Sequence, residues 1–482
     1  MARRVSTANV ATANLPLPTF DLETYASNYQ GPLLPLRLAH IATHCPSLSR
    51  QALALAIGHA KNGKDLQLYH RLLDLASNLD LQDLAKVDTE WATRKDEENR
   101  RESARLEGEL RGYKNNLIRE SIRMGQEDLA THLLLTGGPI PDPSSPQSVN
   151  SAGYNAAYQH FGKMRDFCTT PTHMMAMNLR LIYTSFLQAV TTSQSGGSAS
   201  THYNNIIINA SRLRGGGVKE EEQSKLTPIS YVMSGLASMA QGEYATAAKT
   251  FLQASFDYHN MGPVLGSDLE RSVASANDVA IYGGLCALAT MSRDELNDQV
   301  LGGPFRAFLE QEPHMRKAIT LYTTAKYQSC IETLRRYYSD WTLDVFLGAP
   351  SASVLGSHVD RLMAKIRERS ITAYFSSFSE VSLASLACTF PPNPNTAEAM
   401  EAEVLLMIDS GILDARLDVV NGVLKAPRQE ARQAAHQDAK QTAEEVERTL
   451  LLRLHRINMT LAGLEVPKVK GQWNGGGIHH GY

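Results

Sequence analysis

Apolar residues recur at helical spacing along most of this chain. From Phe20 onward they repeat every three or four positions, and the strict alternation typical of strands is nearly absent until the last quarter. The pattern therefore predicts a mostly α-helical protein.

A recurring element indicates how these helices are arranged. A small residue lies at a turn, a second small residue follows five positions on, and an apolar residue follows four positions later. The element occurs at Gly242–Ala247, Gly125–Ala130, Ala325–Cys330 and, in a weaker form, Gly63–Leu68. Such spacing is typical of tetratricopeptide-like helical hairpins, in which small residues let two helices approach and a large residue fills the groove. The copies are unevenly spaced, so we expect a degenerate helical-repeat array, with ordinary packed helices as the alternative.

The best copy, at Gly242, also has the preceding helix in register. Gly235 stands where that helix needs a small residue, and Phe251 is the large residue that follows the turn.

A dense mixed-charge stretch runs from Asp88 to Arg111. Acidic residues precede basic ones by four positions, the favourable orientation on a helix. The pairs are Asp96/Arg100, Glu97/Arg101 and Glu107/Arg111. We expect a solvated helix here, with a binding patch as the alternative.

Two short helices and a hairpin are predicted near the C-terminus. Val381–Phe390 has the pattern of a short helix, which the Pro-rich residues 391–394 end. Thr396 is a suitable N-cap for a second helix, Ala397–Asp409, and Gly411 stands at its C′ position. Helix, helix and β-hairpin in this order form a winged-helix module.

Asn421 and Gly422 mark the turn of that hairpin. This dipeptide favours a two-residue type I′ turn, in which both residues have positive φ. The flanking strands are Ile412–Asp418 and Val423–Ala426. By alternation, Leu413, Leu417 and Val423 are expected to anchor the hairpin against its own helices. An edge strand leaves backbone groups unpaired, so the hairpin is also predicted to pair with a partner's strand.

After Pro427 one long helical pattern runs to about residue 464. Small residues form its first stripe, at Ala431, Ala435, Ala439 and Ala443. Larger apolar residues continue the stripe at Val446, Leu450, Leu454, Ile457, Leu461 and Leu464. A lone helix gains little stability from propensity, so the stripe must be buried. Packing on the chain's own array and packing against partner helices are both open from the spacing alone.

These patterns divide the chain into five segments. We expect a disordered N-terminal arm at 1–18, the helical-repeat array at 19–350, the winged helix at 351–427, the long helix at 428–466 and a disordered Gly-rich tail at 467–482.

Composition excludes several classes of protein. Lys and Arg number 47 against 50 Asp and Glu, and the net charge of −3 disfavours a basic nucleic-acid binder. A hydrophobic content of 43% with 20% charged residues is typical of a chain with a packed core. No apolar run reaches the ~18 residues of a membrane span, and we expect no signal peptide. The 5 scattered cysteines indicate reduced thiols of the cytosol or nucleus.

The predicted winged helix is acidic. Between Glu380 and Ala426 there are seven carboxylates and two bases, and the second helix has no Lys or Arg. Phosphate contacts supply most nucleic-acid affinity, so this module is expected to repel DNA. We expect no nucleic-acid partner.

Catalytic and metal-binding motifs are weak or absent. His40 and His44 have the i, i+4 spacing of two zinc ligands, but the Glu of a zinc protease and an evident third ligand are missing. No phosphate-binding Gly-rich loop, G-x-S-x-G or H-x-H isopeptidase motif is present. Residues 212–216 copy the conjugating end of ubiquitin-like proteins but are internal, and we interpret them as a loop. The sequence predicts no catalytic residue, metal, cofactor or membrane partner.

A helical array followed by a winged helix is the layout of PCI domains. Three stretches narrow the resemblance further, and the first two are specific. They are Tyr29–Gly31 continuing through Arg37–Leu38 to Ile41–Leu48, then Val279–Thr290, then Phe305–Glu310. Together they resemble the family of subunit 1 of the constitutive photomorphogenesis 9 signalosome (the CSN complex), a family of PCI-domain proteins. The resemblance extends from about Phe20 to about Leu464.

The resemblance implies a non-catalytic scaffold in a complex that removes a ubiquitin-like modifier from cullins (deneddylation), with the isopeptidase in another subunit. It implies PCI and metalloisopeptidase-type subunits and cullin-RING ubiquitin ligases as partners, a location in nucleus and cytoplasm, and a shared bundle of C-terminal helices. The paralogous PCI subunit of the proteasome lid and a nucleic-acid-binding adaptor are the alternatives. The segments at Asn28-Tyr29 and His44-Cys45-Pro46 favour the signalosome.

Overall fold

The computed structural model describes residue 18 and residues 20–137, 152–215, 217–349, 356–392, 396–426 and 431–463. The chain divides into two units, the first ending at Ser377 but including Cys388–Pro391, the second formed by Phe378–Ala387 and the residues from Pro392 onward. The predicted arm, apart from residue 18, and the predicted tail lie outside the described residues.

Helices that follow one another along the chain build the first unit. They begin with α1 Leu22–Ser27, α2 Leu33–His44, α3 Ser49–Asn62, α4 Leu66–Asn78, α5 Thr89–Asn115, α6 Arg119–Thr136, α7 Ala152–Lys163, α8 Pro171–Gln194, α9 Ser200–Leu213 and α10 Glu220–Ala240. They continue with α11 Tyr244–Leu252, α12 Leu269–Ser272, α13 Ala276–Thr290, α14 Arg293–Glu295, α15 Arg306–Gln311, α16 Pro313–Thr323, α17 Tyr327–Thr342 and α18 His358–Phe375. Short 3₁₀ or π segments lie at Met164–Phe167, Phe256–Tyr258 and Leu296–Leu301. Many of the helices pack against the next in sequence, which confirms the predicted tetratricopeptide-like array.

The copy of the recurring element at Gly242 packs as its spacing predicts. Phe251 of α11 is fully buried, with its ring against Gly235 of α10 and its Cβ near Gly283 of α13. A Cβ at Gly235 would stand 2.9 Å from this ring. Only glycine therefore lets α10 approach Phe251 without a shift of the ring.

The other copies divide into two kinds. Gly63 ends α3, and Ala325 lies between α16 and α17 with φ 60, so both mark turns as predicted. Gly125 lies inside α6, because that helix runs unbroken from Arg119 to Thr136. The turn predicted at Gly125 is therefore wrong, and the glycine instead makes room for the ring of Tyr113 on α5.

Helix α5 is solvated, as its charge pattern predicts. Its only buried residues are Leu106 and Leu110. Arg100–Asp96 and Arg101–Glu97 each form an ion pair of 2.8 Å. The third predicted pair, Glu107/Arg111, is not among the ion pairs formed by the described residues.

The N-terminal helices α1 and α2 are held against late parts of the same unit. Arg37 of α2 is fully buried and forms an ion pair of 2.8 Å with Asp344, 307 residues further along the chain. The hydroxyl of Tyr29 donates a 2.7 Å hydrogen bond to Asp278 on α13. No local pattern predicts contacts over such separations.

The winged-helix segment contains three short strands. Its elements are β1 Glu380–Ser382, α19 Leu383–Thr389, α20 Ala397–Asp409, β2 Arg416–Asp418 and β3 Val423–Lys425. The strand order is β1-β3-β2, and both pairs are antiparallel.

Both helices predicted for this segment are confirmed, and the first begins later than predicted. The Thr396 side chain accepts from the Ala399 amide and begins α20, and Gly411, with φ 71, follows the C-cap Ser410. The helix predicted over Val381–Phe390 is present as α19, but it begins at Leu383, because Val381 and Ser382 belong to strand β1. Backbone pairing with β3 holds these residues extended, which their local pattern does not show.

The long C-terminal helix, α21, is Ala431–Leu461. Its 31 residues make it about 46 Å long. Within the described residues, no helix combines the length and apolar character needed to cross a membrane.

Candidate protein-docking surfaces

The hairpin of β2 and β3, residues 416–425, is here called the wing. Its turn is not the predicted type I′ turn. Asp418 pairs with Val423, so the loop has four residues, 419–422, and not two. Gly422 has φ 62, whereas Asn421 is not among the residues with positive φ. The predicted type I′ turn is therefore wrong, and a longer loop needs only one residue in the left-handed region.

Asp418 shapes this loop from its base. Its carboxylate accepts from the Asn421 amide nitrogen at 3.3 Å, from the Asn421 side chain at 2.9 Å and from Lys425 at 3.1 Å. The Asn421 side chain, followed by Lys425, lowers the pKa of Asp418 to about 2. Asn421 thus acts through its side chain and not through an unusual φ.

The anchoring prediction is correct for Leu413 and needs a correction for Val423. Leu413 is buried and Leu417 is half-buried. Leu417 lies opposite Leu424, which is fully buried, whereas Val423 lies opposite Asp418 and therefore on the other face of the sheet. A loop of even length places positions 417 and 424 on one face, and this parity would have identified Leu424 in the sequence.

One edge of the hairpin is already covered. Strand β3 lies between β1 and β2, so the outer edge of β2 is the hairpin edge left open. The loop beside it exposes two apolar residues, Val419 and Val420. The prediction that a partner strand pairs with the hairpin therefore applies to β2.

Helix α20 is divided between a buried and an acidic side. Met400, Val404 and Met407 are buried. Glu398 and Asp409 are exposed, and no Lys or Arg lies on the helix. This arrangement does not provide the cations that a phosphate backbone requires.

Helix α21 exposes its apolar stripe. Five of the six predicted large residues are between 53 and 81% exposed, namely Val446, Leu450, Leu454, Ile457 and Leu461. The sixth, Leu464, lies outside the described residues. Every described side chain from 435 to 463 is exposed, so no described residue of its own unit buries this stripe. Leu451, Leu452 and Met459, which the stripe did not include, add apolar surface on other sides of the helix.

The two histidines of the zinc-like spacing have structural contacts. His40 Nε2 lies 3.2 Å from the Thr342 carbonyl, and His44 Nδ1 lies 2.9 Å from the His40 carbonyl. Burial, together with the neighbouring His44, lowers the pKa of His40 to about 4. The described residues contain no group of three or more His, Cys, Asp or Glu side chains arranged to hold a metal ion.

The segment that copies a ubiquitin-like terminus is partly helical. Arg212 and Leu213 form the end of α9, and Leu213 is fully buried, so the interpretation of these residues as a loop is wrong. The guanidinium of Arg214 lies 4.9 Å from the centre of the Tyr231 ring. Among the described residues of this segment Leu213 is buried, whereas Arg212, Arg214 and Gly215 are exposed.

Comparisons with known proteins agree with this architecture. The family model described as 26S proteasome subunit RPN7 matches residues 88–138 and 150–299, and the model of the PCI domain matches 321–428. The second match spans the winged-helix segment, which confirms a PCI module after the helical array. The first model is named for a proteasome subunit, so this match does not by itself distinguish the proteasome from the signalosome.

Relatives that match most of the chain distinguish the signalosome from the proteasome. The COP9 signalosome complex subunit 1 of Emericella nidulans is 36% identical over 479 residues, which cover 95% of this chain and 87% of the relative. The proteins of the same name from Neurospora crassa and Arabidopsis thaliana are 33% and 29% identical and cover 92% and 91% of the chain, with 90% and 89% of their own lengths matched. This chain therefore belongs to the family of COP9 signalosome complex subunit 1.

Proposed function

We propose that this chain is a non-catalytic scaffold subunit of the signalosome and that it supports removal of a ubiquitin-like modifier from cullins through protein contacts alone. The isopeptidase activity belongs to a metalloisopeptidase-type subunit in this proposal. The partners are that subunit, other PCI subunits and, through the assembled complex, cullin-RING ubiquitin ligases. The complex acts in both nucleus and cytoplasm, and the chain needs no cofactor.

The exposure of α21 carries this proposal. An apolar side chain of this size contributes about 1.5–3 kcal/mol when it is fully removed from water. The five described stripe residues are already partly shielded by their own helix, so burial against a partner contributes roughly 1 kcal/mol each. A total of about 5 kcal/mol is enough to make α21 a principal assembly element.

Paired substitutions in the full chain test this role. Leu450→Gln with Leu454→Gln removes the centre of the stripe, and we expect about 2 kcal/mol of lost association free energy, or roughly a 30-fold weaker incorporation into the complex. Leu452→Gln is the matched control, because Leu452 is 60% exposed, Leu450 is 55% exposed, and the two point to opposite sides of the helix.

Incorporation is measured by reconstitution with the other subunits, followed by native mass spectrometry. Deletion of residues 440–482 is expected to leave a folded array that does not enter the complex stably. If the paired variant and the truncated chain assemble at normal stoichiometry, α21 is not the assembly element. Unfolding of the truncated chain would instead show that the stripe stabilises its own chain.

A further inference from the structure

The turn between α5 and α6 exposes two neighbouring apolar residues. We call residues Asn116–Arg119 the hairpin tip. Within it Leu117 is 82% exposed and Ile118 is 52% exposed. Neither the wing nor α21 includes these residues, so the proposed assembly contacts do not account for them.

Both residues are unsuited to their backbone positions. Leu117 has φ 55 and follows the C-cap of α5, where glycine or asparagine is the usual residue because a side chain is strained in this region. Ile118 is the N-cap of α6 and makes no side-chain capping bond. Serine, threonine, aspartate or asparagine would satisfy one of the free amides of that helix. Two successive exposed residues that both oppose local stability are typical of a functional surface.

The surroundings of the hairpin tip are positively charged. Arg111, Lys114 and Arg119 are exposed, and none of them takes part in an ion pair between described residues. The carboxylates of Glu120 and Glu109 are held by Arg123 and Arg105, and Glu107 is the other nearby acid on α5. The uncapped amides of the first turn of α6 add the positive end of its helix dipole.

A small core holds this surface in place. Leu106 and Leu110 of α5 pack with Ile122 and Leu129 of α6, so the two helices form a stable base for the turn. A protruding apolar pair on a rigid base loses little conformational entropy when it enters a pocket.

We propose that the hairpin tip docks into an apolar pocket, rimmed by carboxylates, on a protein that the assembled complex binds. Leu117 and Ile118 enter the pocket, a partner carboxylate accepts from the free amides of α6, and the three cations face the acidic rim. Directional acceptors for those amides favour a protein over a lipid surface, since two apolar side chains give little membrane affinity. The inference rests on the proposed function, from which we take a cullin-RING ligase as the partner.

The test compares affinity with stability. The complex is reconstituted with the wild-type chain, with Leu117→Gly, with Ile118→Ser and with the control Ile208→Ser, whose residue is 49% exposed on α9. Binding to a labelled cullin-RING ligase carrying the modifier is measured by fluorescence anisotropy at low and moderate salt. Each hairpin-tip variant is expected to bind about tenfold more weakly, and the control within about twofold of wild type. The wild-type affinity should fall as salt rises.

The two hairpin-tip variants should lower the affinity for the ligase but raise the thermal stability of the full chain. Glycine removes the strain at position 117 and serine caps α6, so both variants are expected to raise Tm by about 1–3 °C. A lower Tm with weaker binding would indicate a structural role and overturn the proposal.

Three further outcomes are decisive. Unchanged ligase affinity in both variants, with assembly intact, overturns the docking site while the proposed function stands. If the variants lose binding to phosphatidylserine-containing vesicles but keep their affinity for the ligase, the surface binds lipid. This outcome also overturns the docking site. A wild-type chain that does not enter the complex, or a complex that does not bind the ligase, refutes the proposed function and with it this partner.

Discussion

Arg37 offers a direct test of how the N-terminal helices are held. Its guanidinium is fully buried, with Nη1 2.8 Å from Asp344 and 3.1 Å from the hydroxyl of Tyr25. The other terminal nitrogen donates to the carbonyl of Val273, and the guanidinium lies 4.2 Å from the centre of the Tyr29 ring. Arg37→Met keeps an unbranched apolar stem and removes the charge and every donor.

The expected loss of stability follows from the carboxylate that the substitution leaves without its buried cation. Removal of one partner from a buried ion pair costs about 3–5 kcal/mol. Asp344 would retain the hydroxyl of Tyr282 at 2.9 Å and the amides of Phe346 and Leu347 at 3.1 and 3.0 Å. We therefore expect a loss near the lower end, about 3 kcal/mol in the free energy of unfolding.

The loss of Arg37 should also affect the buried carboxyl of Asp278. Burial raises the pKa of its carboxyl, while the charge of Arg37 acts in the opposite direction. Loss of Arg37 should raise that pKa further, so the Met variant is expected to lose more stability at neutral pH than in mild acid.

Urea unfolding followed by circular dichroism measures the change, and a double-mutant cycle with Asp344→Asn isolates the pair. We expect the double variant to be more stable than the sum of the two single losses implies, by about 2 kcal/mol. Arg50→Met is the matched control, because the Arg50–Asp83 pair is 3.5 Å apart and its side chains are 70 and 80% exposed. Such a pair contributes less than about 1 kcal/mol. Equal losses for Arg37→Met and Arg50→Met would show that the buried pair stabilises the chain no more than the exposed one.

Three other predictions concern activity, the wing and pH. The isolated chain should show no isopeptidase turnover on modified cullin; turnover abolished by substitution of His40 or His44 would contradict the scaffold assignment. Gly422→Val should weaken association with the neighbouring subunit more than Asn421→Thr does, because Gly422 alone has positive φ in the loop. Equal affinity of wild type and both variants in a binding titration would count against the wing as an interface. Burial lowers the pKa of His40 and His358 from 6.5 to about 4, so the folded chain binds fewer protons than the unfolded chain between these values, and the free energy of unfolding should fall as pH drops from 6.5 to 4. His358→Gln should reduce that pH slope in urea unfolding, and an unchanged slope would exclude His358 as a contributor.

Features that depend on local periodicity and capping can be predicted from the sequence. The helical class, the boundaries of α20 between Thr396 and Gly411, the solvated α5 and the apolar stripe of α21 all follow from residues within a few turns of one another. These features are predictable because a helix forms its hydrogen bonds over four residues and shows its buried face as a repeat. The exposure of the stripe was not decided by the spacing, which allowed packing on the chain's own array.

Features that depend on distant residues are set by packing between elements. Glu380–Ser382 becomes a strand because β3, some forty residues later, supplies its hydrogen bonds. The ion pair of Arg37 with Asp344 crosses 307 residues, so no window of sequence contains both charges. Pairing across strands and burial of charge are determined by packing between elements, and their energies are set only when the chain has closed those long loops.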